Sequence, residues 1–431
     1  MPPTVYIENL SEHVDTEVTL RGWLYNKRES GKIAFLQVRD GTGTVQAVVV
    51  RSQVAEGVWQ QAAETSQETS LRLTGSVRAD ERAPGGCEIQ VSALQVLQAA
   101  AGYPITPKEH GVDFLMDRRH LWLRSAQQHA VLRVRSKVVQ ICRNYFHDRG
   151  FTLVDSPILT ALSVEGTSTL FETDYFGRSA YLTQSGQLYQ EAGAMALGKV
   201  FCFGPTFRAE KSKTRRHLTE FWMLEPEIAF ASIDDVMDLI EDFISSVVRG
   251  ALDRCAPELA ELERDTARLQ QVVPPFPRIH YDDAVRLLQE AGEDFEWGND
   301  FGARDETIIS EQYDRPVFIN RFPARIKPFY MQPDAERDDL VLGCDLLAPE
   351  GYGEIVGGGE RIHDLELLES RLRDHGLPLE PYQWYLDLRR YGSVPHSGFG
   401  MGLERVVAWI TGRRHIRECI PFPRMIGRLE P

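Results

Sequence analysis

The chain has 431 residues, and its 63 acidic and 48 basic side chains give a formal net charge of −15. This balance excludes a generic nucleic-acid binder, so any RNA must be held by local basic patches with salt-sensitive affinity. The length accommodates two or three domains. Because the sequence has no run of 18 apolar residues and no signal-peptide pattern, we expect a cytoplasmic protein without a membrane partner.

The cysteine pattern bears on metals and redox chemistry. The six cysteines are Cys87, Cys142, Cys202, Cys255, Cys344 and Cys419. No two of them form a C-x-x-C pair, the spacing typical of structural zinc sites, and they show no disulfide framework. The sequence therefore predicts neither zinc nor a set of disulfides.

Residues 1–98 have the pattern of a separate all-β unit. Five runs are rich in β-branched and aromatic residues, as strands are. These runs are 18–25, 32–38, 44–50, 70–77 and 88–91. The turn at 40–43 joins the second run to the third, and a helix fits at 52–65. Five strands in about 85 residues are typical of an OB-fold, a small barrel that binds oligonucleotides on one face.

The second of these runs carries a candidate RNA-binding surface. Phe35 and Gln37 lie near the basic residues Lys27, Arg28 and Arg39. An aromatic ring can stack on a base while polar and cationic groups contact base edges and phosphates. The alternation of the strand leaves open whether Phe35 stacks on a base or belongs to the barrel core.

Residues 99–118 contain two prolines and two glycines and are predicted to be a linker or hinge, followed by one larger domain at 119–431. This domain begins with a helical pattern at 128–149, which Gly150 ends. A strand is predicted at 151–160. It contains Pro157, which favours an edge or an interface because proline avoids central strands.

A cationic loop separates two strand-like runs at 200–203 and 221–230. Arg208 and Glu210 lie on the incoming strand. The loop cations are Lys211, Lys213, Arg215 and Arg216. An arginine on a strand beside such a loop suits a bound polyphosphate. On charge alone, a solvated turn is an equal alternative.

A second arginine element lies at 396–410. Its apolar residues Leu403, Val406, Val407 and Ile410 have the spacing of one buried helix face. The alternate glycines that precede this helix let the backbone pass close to a ligand. Arg405 lies at the helix start, where the backbone amides also favour anions.

Together these elements resemble the three signature motifs of the class II aminoacyl-tRNA synthetases, with motif 1 at about 128–160, motif 2 at about 200–230 and motif 3 at about 396–410. The resemblance implies an α+β fold whose catalytic domain, 119–431, is an antiparallel sheet flanked by helices. It also implies activation of an amino acid by ATP and a homodimer formed through motif 1. The N-terminal barrel resembles the anticodon-binding domain of the aspartyl/asparaginyl/lysyl subgroup, which implies tRNA anticodon contacts by Arg28, Phe35 and Gln37.

Residues 183–191 bear on the choice of amino acid. Aspartyl members of the subgroup carry a lysine where this chain has Gln190, and Glu191 follows. A carboxylate substrate would be repelled there, whereas the amide of asparagine offers N–H groups to Glu191 and a carbonyl to an arginine. The arginine implied by the resemblance is Arg361. Alternatively, Glu191 is an ordinary helix residue, which would leave the specificity unexplained.

Four further stretches resemble the asparaginyl branch of the subgroup, and they are 110–124, 352–358, 385–396 and 420–424. The implied substrates are asparagine, ATP and tRNA(Asn). One alternative is a non-discriminating aspartyl enzyme, against which the missing lysine at Gln190 argues. The other is an asparagine-synthesising paralogue, which would lack a domain like residues 1–98.

The resemblance also implies a role for each site residue. Arg208 and Arg405 are the expected catalytic residues, holding the α- and γ-phosphates of ATP. Further ATP contacts are expected from Glu210, His217, Phe221 and Glu354. The expected Mg²⁺ ligands are Asp345 and Glu354. The expected amino-acid-binding residues are Glu165, Ser185, Gln187, Gln190, Glu191, Glu225 and Arg361. Glu165 would act from a closing loop at 164–167, with an ordinary surface acid as the alternative.

Overall fold

The computed structural model describes residues 2–165 and 169–430. The chain divides into two compact units, Met1–Leu115 and Met116–Pro431. Among the described residues, no helix is long and apolar enough to cross a membrane.

The first unit contains a closed barrel of five strands. They are β1 (Glu17–Ser30), β2 (Ile33–Arg39), β3 (Thr44–Val50), β4 (Ser70–Ala79) and β5 (Cys87–Gln98), and helix α1 (Glu56–Glu64) lies between β3 and β4. Neighbouring strands follow the order β1-β2-β3-β5-β4, and only β3 and β5 pair in parallel. The five predicted strands and the OB-fold are confirmed. The helix predicted at 52–65 begins only at Glu56, because Arg51–Gln53 forms a separate 3₁₀ turn.

The alternation of β2 decides on which side of the barrel wall Phe35 lies. Ala34, Leu36 and Val38 are fully buried in the barrel core. Phe35 and Gln37 point to the other face and are half-buried. Arg28 pairs with Phe35 across the β1–β2 ladder, and its guanidinium lies 4.4 Å from the centre of the Phe35 ring. The core alternative for Phe35 is therefore wrong, since its ring faces outward.

The second unit is built on a mixed eight-stranded sheet. Its strands are β6 (Thr152–Leu153), β10 (Lys199–Phe207), β11 (Glu220–Ala229), β12 (Arg278–His280), β13 (Val317–Pro323), β14 (Leu340–Ala348), β15 (Gly353–Arg361) and β16 (His396–Gly402). They neighbour one another in the order β12-β13-β14-β15-β16-β11-β10-β6. The sheet is antiparallel except for one parallel pair at each edge. Strands β7 (Leu159–Thr160), β8 (Glu172–Tyr175) and β9 (Arg178–Leu182) form a small separate sheet.

Helices flank this sheet. They are α2 (Val112–Met116), α3 (Arg119–Trp122), α4 (Ala126–Asp148), α5 (Gln187–Leu197), α6 (Ile233–Arg254), α7 (Ala256–Glu261), α8 (Ala267–Gln270), α9 (Tyr281–Glu290), α10 (Ala303–Ser310), α11 (Leu365–Asp374), α12 (Gln383–Arg390) and α13 (Leu403–Thr411). Apolar faces of α4, α6 and α13 share one core with the sheet, which includes Val138, Phe243 and Trp409. The α+β class, the hairpin predicted around the cationic loop and the helix predicted within 396–410 are thus confirmed.

Two predicted elements differ from the structure. The strand predicted at 151–160 is two short strands, β6 and β7, which belong to different sheets. Pro157 lies between the two strands and has no N–H to donate to a neighbouring strand. The side-chain amide of Gln190 donates to the Val154 carbonyl and to Ser156 Oγ in this segment, in place of a strand partner. The sequence of residues 256–270 also has a helical pattern and predicts a single helix, but the structure has two, α7 and α8, because Glu263 between them has a φ of 52° that an α-helix does not allow.

Candidate active site

A central cavity of about 560 Å³ opens over the eight-stranded sheet. Strands β11, β14, β15 and β16 form much of its wall. Eight of the predicted site residues line it, namely Glu165, Ser185, Gln187, Arg208, Glu225, Asp345, Glu354 and Arg361. These positions span 197 residues of sequence, so the fold brings together what the motifs indicate separately.

A side cavity of about 100 Å³ adjoins the central one and shares Arg208 and Glu354 with it. The other predicted residues in its wall are Glu210, His217, Phe221 and Arg405. All the residues predicted to bind the nucleotide therefore line the side cavity, and Arg208 lies in the wall of both cavities.

Arg208 is a fixed cation in this shared wall. Its guanidinium lies 5.5 Å from the centre of the Phe221 ring, and Nη2 is 4.0 Å from Glu165 Oε1. Burial opposes the charge, but the carboxylates of Glu165 and Glu210 outweigh it and raise the pKa of Arg208. The arginine is therefore permanently charged and suited to binding an anion.

Two acidic residues converge beside Arg405. Arg405 Nη1 donates to the Glu354 backbone oxygen at 2.7 Å and to its Oε2 at 3.1 Å. A Cβ placed on Gly357 would lie 2.8 Å from Glu354 Oε1 and 3.3 Å from Asp345 Oδ1, so both carboxylates face this bare stretch of backbone. Lys327 Nζ donates to Asp345 Oδ2 at 2.7 Å. Burial raises the pKa of Asp345 to about 7, with Lys327 opposing the shift and Glu354 adding to it.

The acidic pair is not a complete metal cage. Among the residues that the structure describes, no group of three or more His, Cys, Asp or Glu side chains is arranged to hold a metal ion. Two carboxylates facing one cavity nevertheless match the sparse protein ligation of Mg²⁺, which keeps water and phosphate oxygens as its other ligands.

Ser185 and Glu225 form a small polar pocket at the start of α5. Ser185 Oγ donates to one oxygen of Glu225, and the Gly186 N–H donates to the other at 2.9 Å. Gln187 lines the same wall, and its N–H donates to Ser185 Oγ at 3.0 Å. Burial raises the pKa of Glu225, although Ser185 and Gly186 oppose the shift. Opposite them, the Tyr330 hydroxyl donates to Glu165 Oε1 at 3.2 Å.

Arg361 is paired with a residue that the motif reasoning missed. Its Nη2 donates to Glu227 Oε1 at 2.6 Å and its Nε at 3.2 Å, and both side chains are almost completely buried. Burial raises the pKa of Glu227 to about 7 against the opposing charge of Arg361. The period-two alternation of β11 places Glu227 on the same face as Glu225, and this signal could have identified it.

Gln190 and Glu191, like Glu227, are not part of the cavity wall. Glu191 is completely buried and accepts from Arg389 Nη2 at 2.5 Å and from the Tyr385 hydroxyl at 2.9 Å, while His396 Nε2 lies 2.9 Å away. Gln187 Nε2, at 3.1 Å from Glu191, links this cluster to the cavity. Of the loop predicted to close over the site, residues 166 and 167 lie outside the described part of the chain.

Comparisons with known proteins identify the family of the chain. Residues 111–426 match the model of the tRNA synthetases class II (D, K and N), and residues 18–97 match that of the OB-fold nucleic acid binding domain. The chain is 58% identical to the asparagine--tRNA ligase of Chloroflexus aurantiacus, over 100% of this chain and 99% of the relative. It is 60% identical to that of Pelotomaculum thermopropionicum, over 99% of each chain.

Solved structures show the same relationship. The asparaginyl-tRNA synthetase of Pyrococcus horikoshii complexed with asparaginyl-adenylate matches with a TM-score of 0.96 and 45% identity, over 99% of both chains. The aspartyl-tRNA synthetase of Entamoeba histolytica matches less well, with a TM-score of 0.84 and 29% identity over 99% of this chain and 93% of that one. The aspartyl alternative is therefore not favoured. The chain belongs to the class II tRNA synthetases, in the asparagine--tRNA ligase branch, and it uses ATP to join asparagine to tRNA.

Proposed function

We propose that the central and side cavities hold asparagine and ATP so that asparaginyl-adenylate forms beside Arg208. The observation that carries this proposal is the position of Arg208, which lines both cavities. A group bound between the two cavities would contact its guanidinium. The relative from Pyrococcus horikoshii was solved with asparaginyl-adenylate, the product expected of such a site.

In this arrangement the side cavity takes the nucleotide. Phe221 stacks on adenine, Glu210 contacts the adenine edge, and Arg208 binds the α-phosphate. Arg405 and His217 bind the outer phosphates. Burial and the nearby Arg405 charge lower the pKa of His217, so it acts as a neutral hydrogen-bonding group at pH 7.

Asp345 and Glu354 are the residues that would hold Mg²⁺. When bound, the ion neutralises charge on the phosphates of ATP. Lys327 supplies a second positive charge on the other side of Asp345. Burial opposes that charge, but Asp345 and Glu354 raise the pKa of Lys327 to about 12, so it stays protonated throughout the reaction.

The central cavity takes asparagine. Glu225 and Ser185 receive its α-ammonium group, with Gln187 and Glu165 beside them. Arg361 donates to the side-chain carbonyl, and the Glu227 carboxylate accepts from the amide nitrogen. An aspartate in the same position would set a second carboxylate against Glu227, which the buried environment disfavours.

This arrangement revises the role that we expected of Glu191. Its carboxylate is already bonded to Arg389 and Tyr385 and does not reach the cavity, because both partners come from α12, which packs behind α5. Glu227 does not line the cavity either, but it is bonded directly to Arg361, which does, and we assign the acceptor role to it. Glu191 instead holds Gln187 in position from behind, and Gln190 ties α5 to the segment that follows β6.

The chemistry of the first step needs no general base. The asparagine carboxylate is already a nucleophile, and it attacks the α-phosphorus in line while pyrophosphate leaves. Arg208 and Arg405 stabilise the charge that develops on the phosphate oxygens, and the fixed geometry supplies the alignment. The terminal adenosine hydroxyl of tRNA then attacks the adenylate carbonyl, and AMP leaves.

Replacement of Arg208 tests the site assignment. Arg208→Ala should abolish asparagine-dependent ATP–pyrophosphate exchange, with circular dichroism and thermal unfolding close to the original. Arg178→Ala, at an exposed position on β9, is the matched control and should keep full exchange. Normal exchange by Arg208→Ala would refute the assignment.

We also propose that the chain forms a homodimer through motif 1 and reads the anticodon of tRNA(Asn) with Arg28, Phe35 and Gln37. Leu153, Ile158 and Leu159 lie around Pro157, in or beside the short edge strands β6 and β7, and each is more than 40% exposed, which is an unusual apolar surface. Sedimentation of Ile158→Glu tests the dimer, which should dissociate. A variant that sediments as the original does would argue against motif 1 as the interface.

A further inference from the structure

A third cavity, of about 400 Å³, has Arg405 in its wall and shares no wall residue with the central cavity. Its wall contains six arginines, namely Arg215, Arg216, Arg264, Arg405, Arg413 and Arg414. Among the described residues Glu350 is the one acidic side chain in this wall. We call it the arginine cavity. Its volume is in the range of about 300–1,000 Å³ that is common for small-ligand sites.

Three of these arginines are already neutralised. Arg264 makes a two-pronged ion pair with Glu350, at 2.9 and 2.7 Å. Arg216 Nη1 lies 2.5 Å from Glu306 Oε2, and Arg405 bonds Glu354. The remaining three have no carboxylate partner within the described residues, and they are Arg215, Arg413 and Arg414. The chain as a whole is acidic, so this unpaired positive charge is local.

The unpaired arginines are placed by specific backbone features. Arg413 and Arg414 follow α13, which Gly412 ends in the left-handed conformation with a φ of 71°. Arg264 fixes this end by donating to the Trp409 and Ile410 carbonyls. Arg405 lies in the first turn of α13 and Arg413 lies just past its last residue, Thr411, so the two arginines are at opposite ends of the helix.

The positions and charges of the arginines in this cavity also favour binding of an anion. A Cβ placed on Gly351 would lie 3.9 Å from Arg215 Nη2, so this exposed side chain reaches the turn that forms the cavity floor. Arg413 Nε is buried without a hydrogen-bond partner. Burial lowers the pKa of Arg216, and the charges of Arg405 and Arg215 add to the effect while Glu306 opposes it. Like charges crowded in this way are relieved by a bound polyanion.

We propose that the arginine cavity is a second polyanion site, which receives pyrophosphate after it leaves the nucleotide. The side cavity and the arginine cavity share Arg216, Arg405 and Ile416 in their walls, so they adjoin each other. Adenylate formation breaks the bond between the α- and β-phosphates and leaves pyrophosphate beside Arg405. Arg215, Arg413 and Arg414 then provide the next phosphate ligands on the way out. This inference rests on the placement of ATP proposed above.

The test is a titration of inorganic pyrophosphate into the full-length protein saturated with asparagine and a non-hydrolysable ATP analogue. The analogue fills the phosphate positions of the side cavity, so pyrophosphate can bind only elsewhere. The original chain should bind one pyrophosphate. The double variant Arg215→Gln/Arg414→Gln should bind it at least about 10-fold more weakly, because charge-assisted hydrogen bonds are lost. The matched control Arg178→Gln/Arg373→Gln replaces two exposed arginines elsewhere and should bind as the original does.

Three outcomes would overturn the proposal. The first is no pyrophosphate binding to the nucleotide-filled original chain, or equal binding by the double variant. The second is loss of adenylate formation in the double variant, which would make these arginines part of the nucleotide site. The third is a raised KM for tRNA in the double variant while pyrophosphate binding is unchanged, which would show that the two arginines bind RNA phosphates instead. Binding with the nucleotide site filled requires no catalysis, so this result is separable from that of Arg208→Ala.

Discussion

The Arg361 guanidinium and the Glu227 carboxylate are joined at 2.6 Å, and Gly398 on the neighbouring strand makes room for them. A pair of this kind presents a donor and an acceptor side by side, which is the pattern that a side-chain amide complements. The Arg361–Glu227 pair, which the sheet holds in place, is therefore the feature that we expect to select asparagine over aspartate.

Glu227→Gln removes the negative charge of this pair and keeps the shape of the side chain. We expect kcat/KM for asparagine to fall by about 100-fold or more, because the acceptor for the amide is weakened and Arg361 loses its partner. Stability should fall by up to about 3 kcal/mol, since Arg361 remains as a buried charge. Steady-state exchange kinetics and thermal unfolding measure the two effects. Glu172→Gln, at an exposed position, is the control for both.

Gly398→Ala tests whether the Arg361–Glu227 pair needs the space left by the missing side chain of Gly398. A Cβ at Gly398 would lie 2.2 Å from Glu227 Cδ and 2.4 Å from the Pro226 carbonyl oxygen, so either the strand or the carboxylate must move. We expect a loss of about 1–3 kcal/mol in stability and a higher KM for asparagine. Gly204→Ala on β10 has no atom within 4 Å of the added carbon and is the matched control. Equal KM values for asparagine in the two variants would show that Glu227 takes no part in substrate binding.

Glu191→Gln should destabilise the second unit by about 3–5 kcal/mol at pH 7, because Arg389 would keep its charge in a buried site without its carboxylate. Burial opposes the charge of Glu191, but Arg389 and His396 lower its pKa below the ordinary range. The carboxylate therefore stabilises the fold above the unfolded-state pKa of about 4.3, and this contribution is lost as the pH falls through the lower folded value.

Calorimetry of the original chain and Glu191→Gln across acid pH measures this effect. The difference in transition temperature should be largest near neutral pH and should shrink below about pH 4. Glu369→Gln breaks an exposed pair with Arg373 and should change stability by less than about 1 kcal/mol. A constant difference between the original chain and Glu191→Gln at every pH would contradict the ionised state of Glu191.

Phe35→Ala separates recognition of tRNA from activation of asparagine. Loss of one stacked base costs about 1–3 kcal/mol, so the KM for tRNA should rise by roughly 5- to 150-fold. Exchange in the absence of tRNA should not change, because Phe35 lies on the barrel and the site lies in the other unit. Tyr6, a 60% exposed aromatic residue of the same unit, supplies the control variant Tyr6→Ala. An unchanged KM for tRNA in Phe35→Ala would show that the Phe35 ring does not contact the anticodon.

The sequence was informative where a local motif carries the chemistry, as at Arg208 and Arg405, and the structure brings these arginines to adjoining cavities. It was misleading at Glu191, because the partners Arg389 and His396 are 198 and 205 residues away and no local pattern shows that they neutralise it. Glu227 was missed for a related reason. The alternation of β11 gives its face, but only the packing of β15 and β16 against that strand shows its pairing with Arg361.

The central claim is that the cavity at Arg208 and the Glu227–Arg361 pair activates asparagine and rejects aspartate. The most direct measurement is ATP–pyrophosphate exchange by the unmodified chain with each amino acid, with and without tRNA. We predict exchange with asparagine in the absence of tRNA and a preference over aspartate of at least about 10³ in kcat/KM. Comparable exchange with aspartate would contradict the account.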